Sequence, residues 1–167
     1  MRIFIVGPMA SGKTVIGKKL AKTLAINFVD TDKEIEKNAG VDISWIFEVE
    51  GEEGFRKREE ELLKEVSKKE NSVISTGGGT IIGKQNRELM TSKGKVIYLE
   101  TSIQVQLERT LKDKSRPLLK EGKKKETLIS LKKKREHLYK EIADITIKQE
   151  GKSHNKIVQE IISKLKI

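Results

Sequence analysis

The sequence lacks cysteine altogether, contains only two histidines and has no long apolar run. Without cysteine the chain forms no disulfides, no thiolate zinc site and no thiol nucleophile. His137 and His154 are too few for a histidine-rich metal site. No segment approaches the roughly 18 consecutive apolar residues of a membrane span, and the first residues do not resemble a secretion signal. We therefore expect a cytoplasmic protein that folds without disulfides or a structural metal and has no membrane partner.

Aromatic residues are also scarce, at 4% of the chain, although the net charge of +10 is typical of nucleic-acid-binding proteins. The excess positive charge is local, because residues 109–135 hold 12 basic and 3 acidic side chains. That segment has no aromatic residue on which a base could stack, which argues against a nucleic-acid-binding module. We interpret it instead as a surface that attracts anionic ligands.

Short β-branched runs recur along the chain and predict strands. They are Ile3–Val6, Asn27–Asp30, Ser72–Ser75, Val96–Leu99 and Ile145–Ile147. Apolar residues at helical spacing mark Val15 to Leu24, Phe55 to Val66, Ile103 to Leu111 and Ile157 to Leu165, the last behind Ser153 as N-cap. This alternation predicts an α/β fold with a mostly parallel sheet, a single domain over residues 1–167, and ligands at the carboxyl ends of the strands.

The segment from Gly7 to Thr14, GPMASGKT, matches the phosphate-loop pattern G-x-x-x-x-G-K-[ST]. It follows a predicted strand and opens a predicted helix, which is the context in which this pattern binds nucleotides. Glycine is needed because several backbone N–H groups must converge on phosphate oxygens. We expect Lys13 to reach the β- and γ-phosphates and the Thr14 hydroxyl to bind Mg²⁺, beside the positive end of the helix dipole.

Two carboxylates and a glycine triplet end the next two predicted strands. In an extended chain, the two-residue spacing of Asp30 and Asp32 places both carboxylates on one face. One is expected to hold Mg²⁺ through water, and the other to orient and deprotonate an acceptor hydroxyl. Alternatively, Asp32 caps the helix predicted at Lys33–Ala39. The triplet Gly77–Gly79 either adopts positive φ or lets a ligand approach the bare backbone, and we favour the ligand.

Arginine is rare in this chain, with seven residues against 28 lysines. A chain so rich in lysine is expected to keep arginine where a planar, bidentate fork is needed. Arg56, Arg116 and Arg135 are therefore candidate clamps for carboxylate or phosphate groups. We interpret Arg2 and Arg87 as solvated surface residues.

Several spaced motifs together resemble the shikimate kinase family in its short bacterial form. They are GPMASGKT, FVDTDKEIE, GEEGFRKREEE, STGGGT, SRPLLK and KKREHLYKEIAD. The resemblance extends over almost the whole chain, from Ile3 to about Leu165. It implies a five-stranded parallel sheet flanked by helices, of the P-loop nucleoside-monophosphate-kinase type. It also implies a substrate-binding helical segment near residues 32–66 and a lid near residues 112–124, where the scarcity of apolar residues predicts a mobile loop.

The resemblance further implies which residues form the site. ATP is expected to bind Ala10, Ser11, Gly12, Lys13, Thr14 and Val15, and Mg²⁺ to bind Thr14 and Asp30. The substrate shikimate is expected to bind Asp32, Arg56, Glu59, Gly78, Gly79 and Arg135. The implied catalytic residues are Lys13, Asp32 as the base, and Arg116 as the lid arginine that contacts ATP and the transferred phosphate. Our predictions for adenine contacts are Arg109 and Lys152. Ala10 departs from the family, because many members have glycine there.

The implied activity is transfer of the γ-phosphoryl group of ATP to the 3-hydroxyl of shikimate, a step of aromatic amino-acid biosynthesis. We expect a monomer whose partners are shikimate and ATP, with no nucleic acid. The first alternative is another P-loop kinase, acting on gluconate or a nucleoside monophosphate. Two arginines suited to a carboxylate argue against a nucleotide acceptor. The second alternative is a nucleotide-regulated nucleic-acid-binding module.

Overall fold

A parallel sheet organises the part of the chain, residues 1–111 and 122–166, that the computed structural model describes. Its five strands are β1 (Arg2–Val6), β2 (Asn27–Asp30), β3 (Ser72–Ser75), β4 (Lys95–Glu100) and β5 (Ile145–Lys148). All neighbouring strands are parallel, and their order is β2-β3-β1-β4-β5. The central strand is therefore the one that leads into the phosphate loop, and all carboxyl ends lie at one edge of the sheet.

Helices connect the strands and follow the last one. Within the described residues they are α1 (Lys13–Leu24), α2 (Thr31–Ala39), α3 (Ile43–Val66), α4 (Lys84–Lys93), α5 (Ile103–Thr110), α6 (Lys124–Ile142) and α7 (His154–Leu165). A single 3₁₀ turn in the same part of the chain covers Thr80–Ile82. Gly51 interrupts α3 with a φ of 72° and a ψ of 178°, a conformation that glycine adopts without steric cost.

The two faces of the sheet carry separate hydrophobic cores. Strand residues alternate between the faces, so Phe4 and Val6 lie in one core and Ile3 and Ile5 in the other. Residues of α2, α3, α4 and α6 pack on the first face, and residues of α1 and α7 pack on the second. Burial on both faces is why the strands appear in the sequence as continuous apolar runs.

The predicted fold is confirmed. Each predicted strand is present, with ends that differ by at most one residue. Ser153 caps α7, as expected, because its side chain accepts a hydrogen bond from the backbone N–H of Lys156. The alternative role for Asp32 is wrong, since the helix begins earlier and Asp30 is its N-cap, accepting from the N–H of Lys33. Asp32 therefore lies in the first turn of α2 rather than in an extended strand end.

The predicted apolar face of α5 is also wrong. Its buried residues are Gln106 and Thr110, whereas Leu111, just beyond the helix, is 65% exposed. Both polar side chains are satisfied, because Gln106 donates to the carbonyl of Met9 and Thr110 donates to the carbonyl of Gln106. A buried polar face of this kind has no apolar periodicity to reveal it.

The predicted lid lies mostly outside the described residues, which resume at Gly122. Among the helices that the structure describes, none is both long and apolar enough to cross a membrane.

Candidate active site

The phosphate loop connects the central strand β1 to α1. Gly12 caps α1 with a φ of 82°, the left-handed conformation that favours glycine. A methyl group on Gly7 would lie 2.9 Å from the carbonyl oxygen of Leu99, so the loop also needs glycine for close approach. The Lys13 ammonium lies over the loop and donates to the carbonyls of Gly7 and Pro8, at 2.8 Å each. The loop therefore forms a compact ring with a cation at its centre and a helix N-terminus beneath it.

Three side chains from distant segments hold the backbone of this loop. Gln106 Nε2 donates to the carbonyl of Met9 at 3.1 Å, and Arg109 Nη1 donates to the carbonyl of Ala10 at 2.9 Å. Gln149 Nε2 donates to the carbonyl of Ser11 at 2.8 Å. Sequence reasoning missed the two glutamines. For Gln149 a signal existed, because a polar residue directly after β5 lies at the carboxyl edge of the sheet; for Gln106 there was none.

A cavity of about 390 Å³, the loop cavity, opens over the phosphate loop. It is lined by Ala10, Ser11, Gly12, Lys13, Thr14, Val15, Asp30, Asp32, Ser75, Thr76, Gly78, Arg109 and His154. All six predicted loop residues and Arg109 thus line one cavity. His154, the first residue of α7, was not predicted.

Lys152 does not line the loop cavity. It lies in a neighbouring cavity of about 290 Å³ that Arg109 also lines. Its ammonium is paired with the Glu160 carboxylate at 2.5 Å. The structure therefore places Lys152 in a cavity next to the loop cavity, and Arg109 lines both.

Thr14 and Asp30 meet at the floor of the loop cavity. The Thr14 hydroxyl donates to Asp30 Oδ2 at 2.5 Å, so a hydroxyl and a carboxylate oxygen lie side by side. Hard oxygen donors of this kind suit Mg²⁺, which keeps several waters and is usually held by one or two carboxylates together with substrate phosphates. No cluster of three or more acidic or histidine side chains suited to a metal occurs within residues 1–111 and 122–166. The hydroxyl of Thr14 and the carboxylate of Asp30 are a donor set that fits Mg²⁺ held jointly with substrate phosphates.

A second cavity of about 380 Å³, the arginine cavity, adjoins the first. Among its lining residues are Asp32, Arg56, Glu59, Gly77, Gly78, Gly79 and Arg135. Four residues line both cavities, namely Thr14, Asp30, Asp32 and Gly78. A ligand in one cavity therefore faces a ligand in the other across these four residues.

Arg56 is fixed within the arginine cavity by two acids of its own helix. Its Nη1 pairs with Glu59 Oε1 at 2.9 Å, and its Nη2 pairs with Glu52 Oε1 at 3.3 Å. Glu59 is only 1% exposed, and its second oxygen accepts a hydrogen bond from the Thr80 hydroxyl at 2.6 Å. Arg56 Nε is buried and has no acceptor among the described residues, so the acids do not saturate the guanidinium. Sequence reasoning did not identify Thr80.

Arg135 also lines the arginine cavity, but its surroundings differ from those of Arg56. It is buried, and the salt bridges formed among the described residues include none between Arg135 and a carboxylate. Burial lowers the pKa of Arg135 below its usual value; Tyr139 opposes this shift, and the nearby Arg56 guanidinium adds to it. A buried guanidinium with no carboxylate within salt-bridge distance in this part of the chain is suited to an anionic ligand.

The glycine triplet is closely surrounded by other groups and does not use the left-handed backbone conformation that favours glycine. None of its three residues has a positive φ, so that alternative is wrong. A methyl group on Gly77 would lie 2.8 Å from Asp32 Oδ1 and 2.8 Å from Glu59 Oε2, and one on Gly79 would collide with the Arg56 guanidinium. The bare backbone thus makes room for the side chains that line the arginine cavity.

Among the predicted site residues that the structure describes, it brings together all except Lys152. Lys152 lies in the neighbouring cavity, and Arg116 lies outside the described residues. The others line one or both of the two connected cavities.

Comparison with known proteins agrees with this arrangement. The family model for shikimate kinase matches residues 9–166. A curated shikimate kinase from Francisella tularensis subsp. holarctica is 51% identical over 160 residues, covering 95% of this chain and 91% of that protein.

Solved structures are similar over nearly the whole chain. Shikimate kinase from Acinetobacter baumannii in complex with shikimate is 43% identical with a TM-score of 0.96, covering 98% of this chain and 92% of that one. A gluconokinase from Sinorhizobium meliloti, with 13% identity, a TM-score of 0.61 and coverage of 99% and 91%, shares the fold alone. The sequence match over most of the chain, with two adjoining cavities built from the family's motifs, shows that this chain belongs to the shikimate kinase family.

Proposed function

We propose that this chain transfers the γ-phosphoryl group of ATP to the 3-hydroxyl of shikimate, giving shikimate 3-phosphate and ADP in aromatic amino-acid biosynthesis. The observation that carries the proposal is the junction of the two cavities at Thr14, Asp30, Asp32 and Gly78. A nucleotide whose phosphates lie on the loop would point its last phosphate at an acceptor held in the arginine cavity. Family membership supports this choice of acceptor.

The reaction requires positioning and charge compensation more than covalent chemistry by the protein. The acceptor oxygen forms a bond to the γ-phosphorus while the bond from phosphorus to the β–γ bridging oxygen breaks. Lys13 and the N-terminus of α1 stabilise the negative charge that develops on the phosphoryl oxygens. Asp32, which lines both cavities, accepts the hydroxyl proton.

Mg²⁺ is proposed to be held by Thr14 and Asp30, the two oxygen donors at the floor of the loop cavity. When bound, it neutralises charge on the β- and γ-phosphate oxygens. The short contact between Thr14 and Asp30 keeps both donors at the cavity floor, so the site is prepared before the nucleotide arrives. Arg109 and Lys152 remain our proposal for adenine contacts, and His154 joins them because it lines the loop cavity.

The acceptor is proposed to be held by two guanidiniums and the glycine backbone. Arg56 and Arg135 would bind its carboxylate, with Glu59 supporting Arg56. Gly78 and Gly79 would contact ring hydroxyls through their backbone. We assign substrate binding to residues 32–66 and lid closure to residues 112–124, with Arg116 contacting the transferred phosphate, in a single kinase domain. We also propose that the chain acts as a monomer in the cytoplasm, without nucleic acid.

An acceptor comparison tests the proposal. ADP release is measured with ATP, Mg²⁺ and either shikimate, gluconate or a nucleoside monophosphate. We expect shikimate to give ADP release well above the rate without acceptor, and phosphorus NMR of the product to show a phosphate ester on the 3-hydroxyl. Faster turnover with gluconate or a nucleotide would contradict the assignment.

Methyl shikimate provides a matched control for the carboxylate, since it keeps the ring and hydroxyls but has no negative charge. If the two guanidiniums bind that group, the ester should have a KM at least about tenfold higher than that of shikimate. An equal KM for acid and ester would remove the role assigned to Arg56 and Arg135 while leaving the reaction itself intact.

A further inference from the structure

Tyr139 contacts Gly78, and neither the sequence motifs nor the proposed mechanism gives it a role. Its hydroxyl donates a hydrogen bond to the carbonyl of Gly78 at 2.6 Å, across 61 residues of sequence. The ring is buried and stacks on Tyr98, with ring centroids 5.0 Å apart and planes inclined by 14°. Gly78 is one of the four residues that line both cavities.

Arg135 lies one helical turn earlier on α6, and both side chains line one small cavity beside the arginine cavity. A phenol oxygen has one proton to donate, and that of Tyr139 is used toward Gly78. Helix α6 therefore carries both a guanidinium of the arginine cavity and the donor that holds the Gly78 carbonyl.

Tyr139 keeps its proton over the whole working pH range. Burial raises the pKa of its hydroxyl to about 12, and this effect outweighs the opposing influence of Arg135. The donor to Gly78 is therefore present at every pH at which the chain is expected to act.

The orientation of the Gly78 carbonyl also determines the direction of the next backbone N–H, that of Gly79. In a trans peptide the N–H points opposite to the preceding C=O. Holding the Gly78 carbonyl toward Tyr139 therefore directs the N–H of Gly79 away from α6. The carbonyls of Gly77 and Gly79 are held by the backbone N–H groups of Thr80 and Ile82. The carbonyl of Gly78, between them, is held by Tyr139, from the helix that also carries Arg135.

We propose that Tyr139 is a positioning residue for the acceptor. It fixes the distance between the Arg135 guanidinium and the peptide at Gly78, and so between the group that binds the acceptor carboxylate and the backbone that faces its hydroxyls. This inference rests on the proposed function, since it assumes an acceptor with a carboxylate and a hydroxyl held in the arginine cavity.

The test is Tyr139→Phe, which removes one oxygen and keeps the buried ring. We expect the KM for shikimate to rise about tenfold, the effect of losing roughly one strong hydrogen bond, while the KM for ATP stays within about twofold. Tyr98→Phe is the matched control, because it removes a hydroxyl from the stacked ring that makes no hydrogen bond within the described residues. It should leave both KM values unchanged.

A merely structural role for Tyr139 predicts a different pattern. Loss of stability lowers the active fraction, and therefore kcat, without raising one KM selectively. The KM for ATP thus serves as the internal check that Y139F is folded, together with its melting temperature. An unchanged KM for shikimate, or an equal rise in both KM values, would overturn the positioning role.

A double-mutant cycle with Arg135→Ala tests the pathway of the effect. The relative position of the Gly78 peptide and the guanidinium matters only while Arg135 holds the carboxylate, so adding Tyr139→Phe to that variant should change the KM for shikimate by less than about threefold. A larger additional change would show that the two residues act independently and would overturn the positioning role. The wild-type protein in the same assay distinguishes failure of the proposed function from failure of the role proposed for Tyr139. Absence of shikimate turnover there refutes the proposed function, whereas normal wild-type turnover with an unaltered Y139F refutes only the role of Tyr139.

Discussion

The loop cavity and the arginine cavity share four residues but are constructed in different ways. The loop cavity is built around one continuous segment, Ala10 to Val15, that follows the central strand. The arginine cavity is formed by side chains from α3 and α6 and by the bare triplet after β3. The first depends on local conformation, and the second depends on long-range packing and buried charge. Changes to the two cavities should therefore have separable effects on ATP and on the acceptor.

The largest expected effect comes from the one charged side chain at the centre of the loop. Lys13→Met keeps the length of the side chain but removes the cation that contacts the Gly7 and Pro8 carbonyls. We expect kcat/KM for phosphoryl transfer to fall by about 10³-fold, because electrostatic stabilisation of the transferring group is the main catalytic contribution.

Lys22→Met, on the exposed side of the same helix, is the control and should have normal kinetics. Steady-state measurement with both substrates varied distinguishes the two variants. If Lys13→Met retained more than a tenth of wild-type activity, the Lys13 ammonium would not be a main catalytic group. The loop backbone alone would then be sufficient for phosphoryl transfer.

Asp32 lines both cavities, so its substitution tests the region that they share. Asp32→Asn keeps the shape of the side chain and removes its capacity to accept a proton. We expect kcat to fall by about 10²-fold with smaller changes in either KM, because general-base catalysis typically contributes this much. Glu34→Gln on the same helix lines neither cavity and is the matched control. Near-normal turnover of Asp32→Asn would limit this carboxylate to positioning.

The same contrast explains what the sequence could and could not reveal. The phosphate loop, the strands and the Ser153 cap depend on neighbouring residues, so local patterns predicted them. Arg56 and Arg135 were found because arginine is rare in a lysine-rich chain. Gln106 and Tyr139 contact the loop and the triplet from 97 and 61 residues away, and no local pattern encodes such contacts. The α5 prediction was wrong for a related reason, because its buried face is polar and was read from its leucines.

Substitution of Arg135 should give the clearest difference between the effects on shikimate binding and on ATP binding. Arg135→Ala removes a buried guanidinium that is not paired with an acid within the described residues, so the change leaves no uncompensated carboxylate there. We expect the KM for shikimate to rise about 10- to 100-fold, as for loss of a charged hydrogen bond, and the KM for ATP to change by less than about twofold. Lys134→Ala, the exposed neighbour, should behave as wild type. Equal increases in both KM values would mean that the two cavities are not energetically separate.

Ala10 sets the smallest expected effect and tests whether the loop is governed by backbone conformation. It has a φ of 58°, in the left-handed region that costs an L-residue about 1–2 kcal/mol. Ala10→Gly relieves that strain but increases the entropy of the unfolded chain, which costs about 0.4–1 kcal/mol. The difference predicts a gain of about 0.5 kcal/mol in the free energy of unfolding, measured by urea titration, with an unchanged KM for ATP.

Ala25, at the end of α1 and outside both cavities, has nearly the same φ of 54° and provides the control. If backbone strain alone decides the outcome, Ala25→Gly and Ala10→Gly should stabilise the protein equally. A gain for Ala25→Gly with a loss for Ala10→Gly would show that the Ala10 methyl group contributes packing within the phosphate loop. The loop cavity would then depend on a side-chain contact as the arginine cavity does, and the contrast between the two would be one of degree.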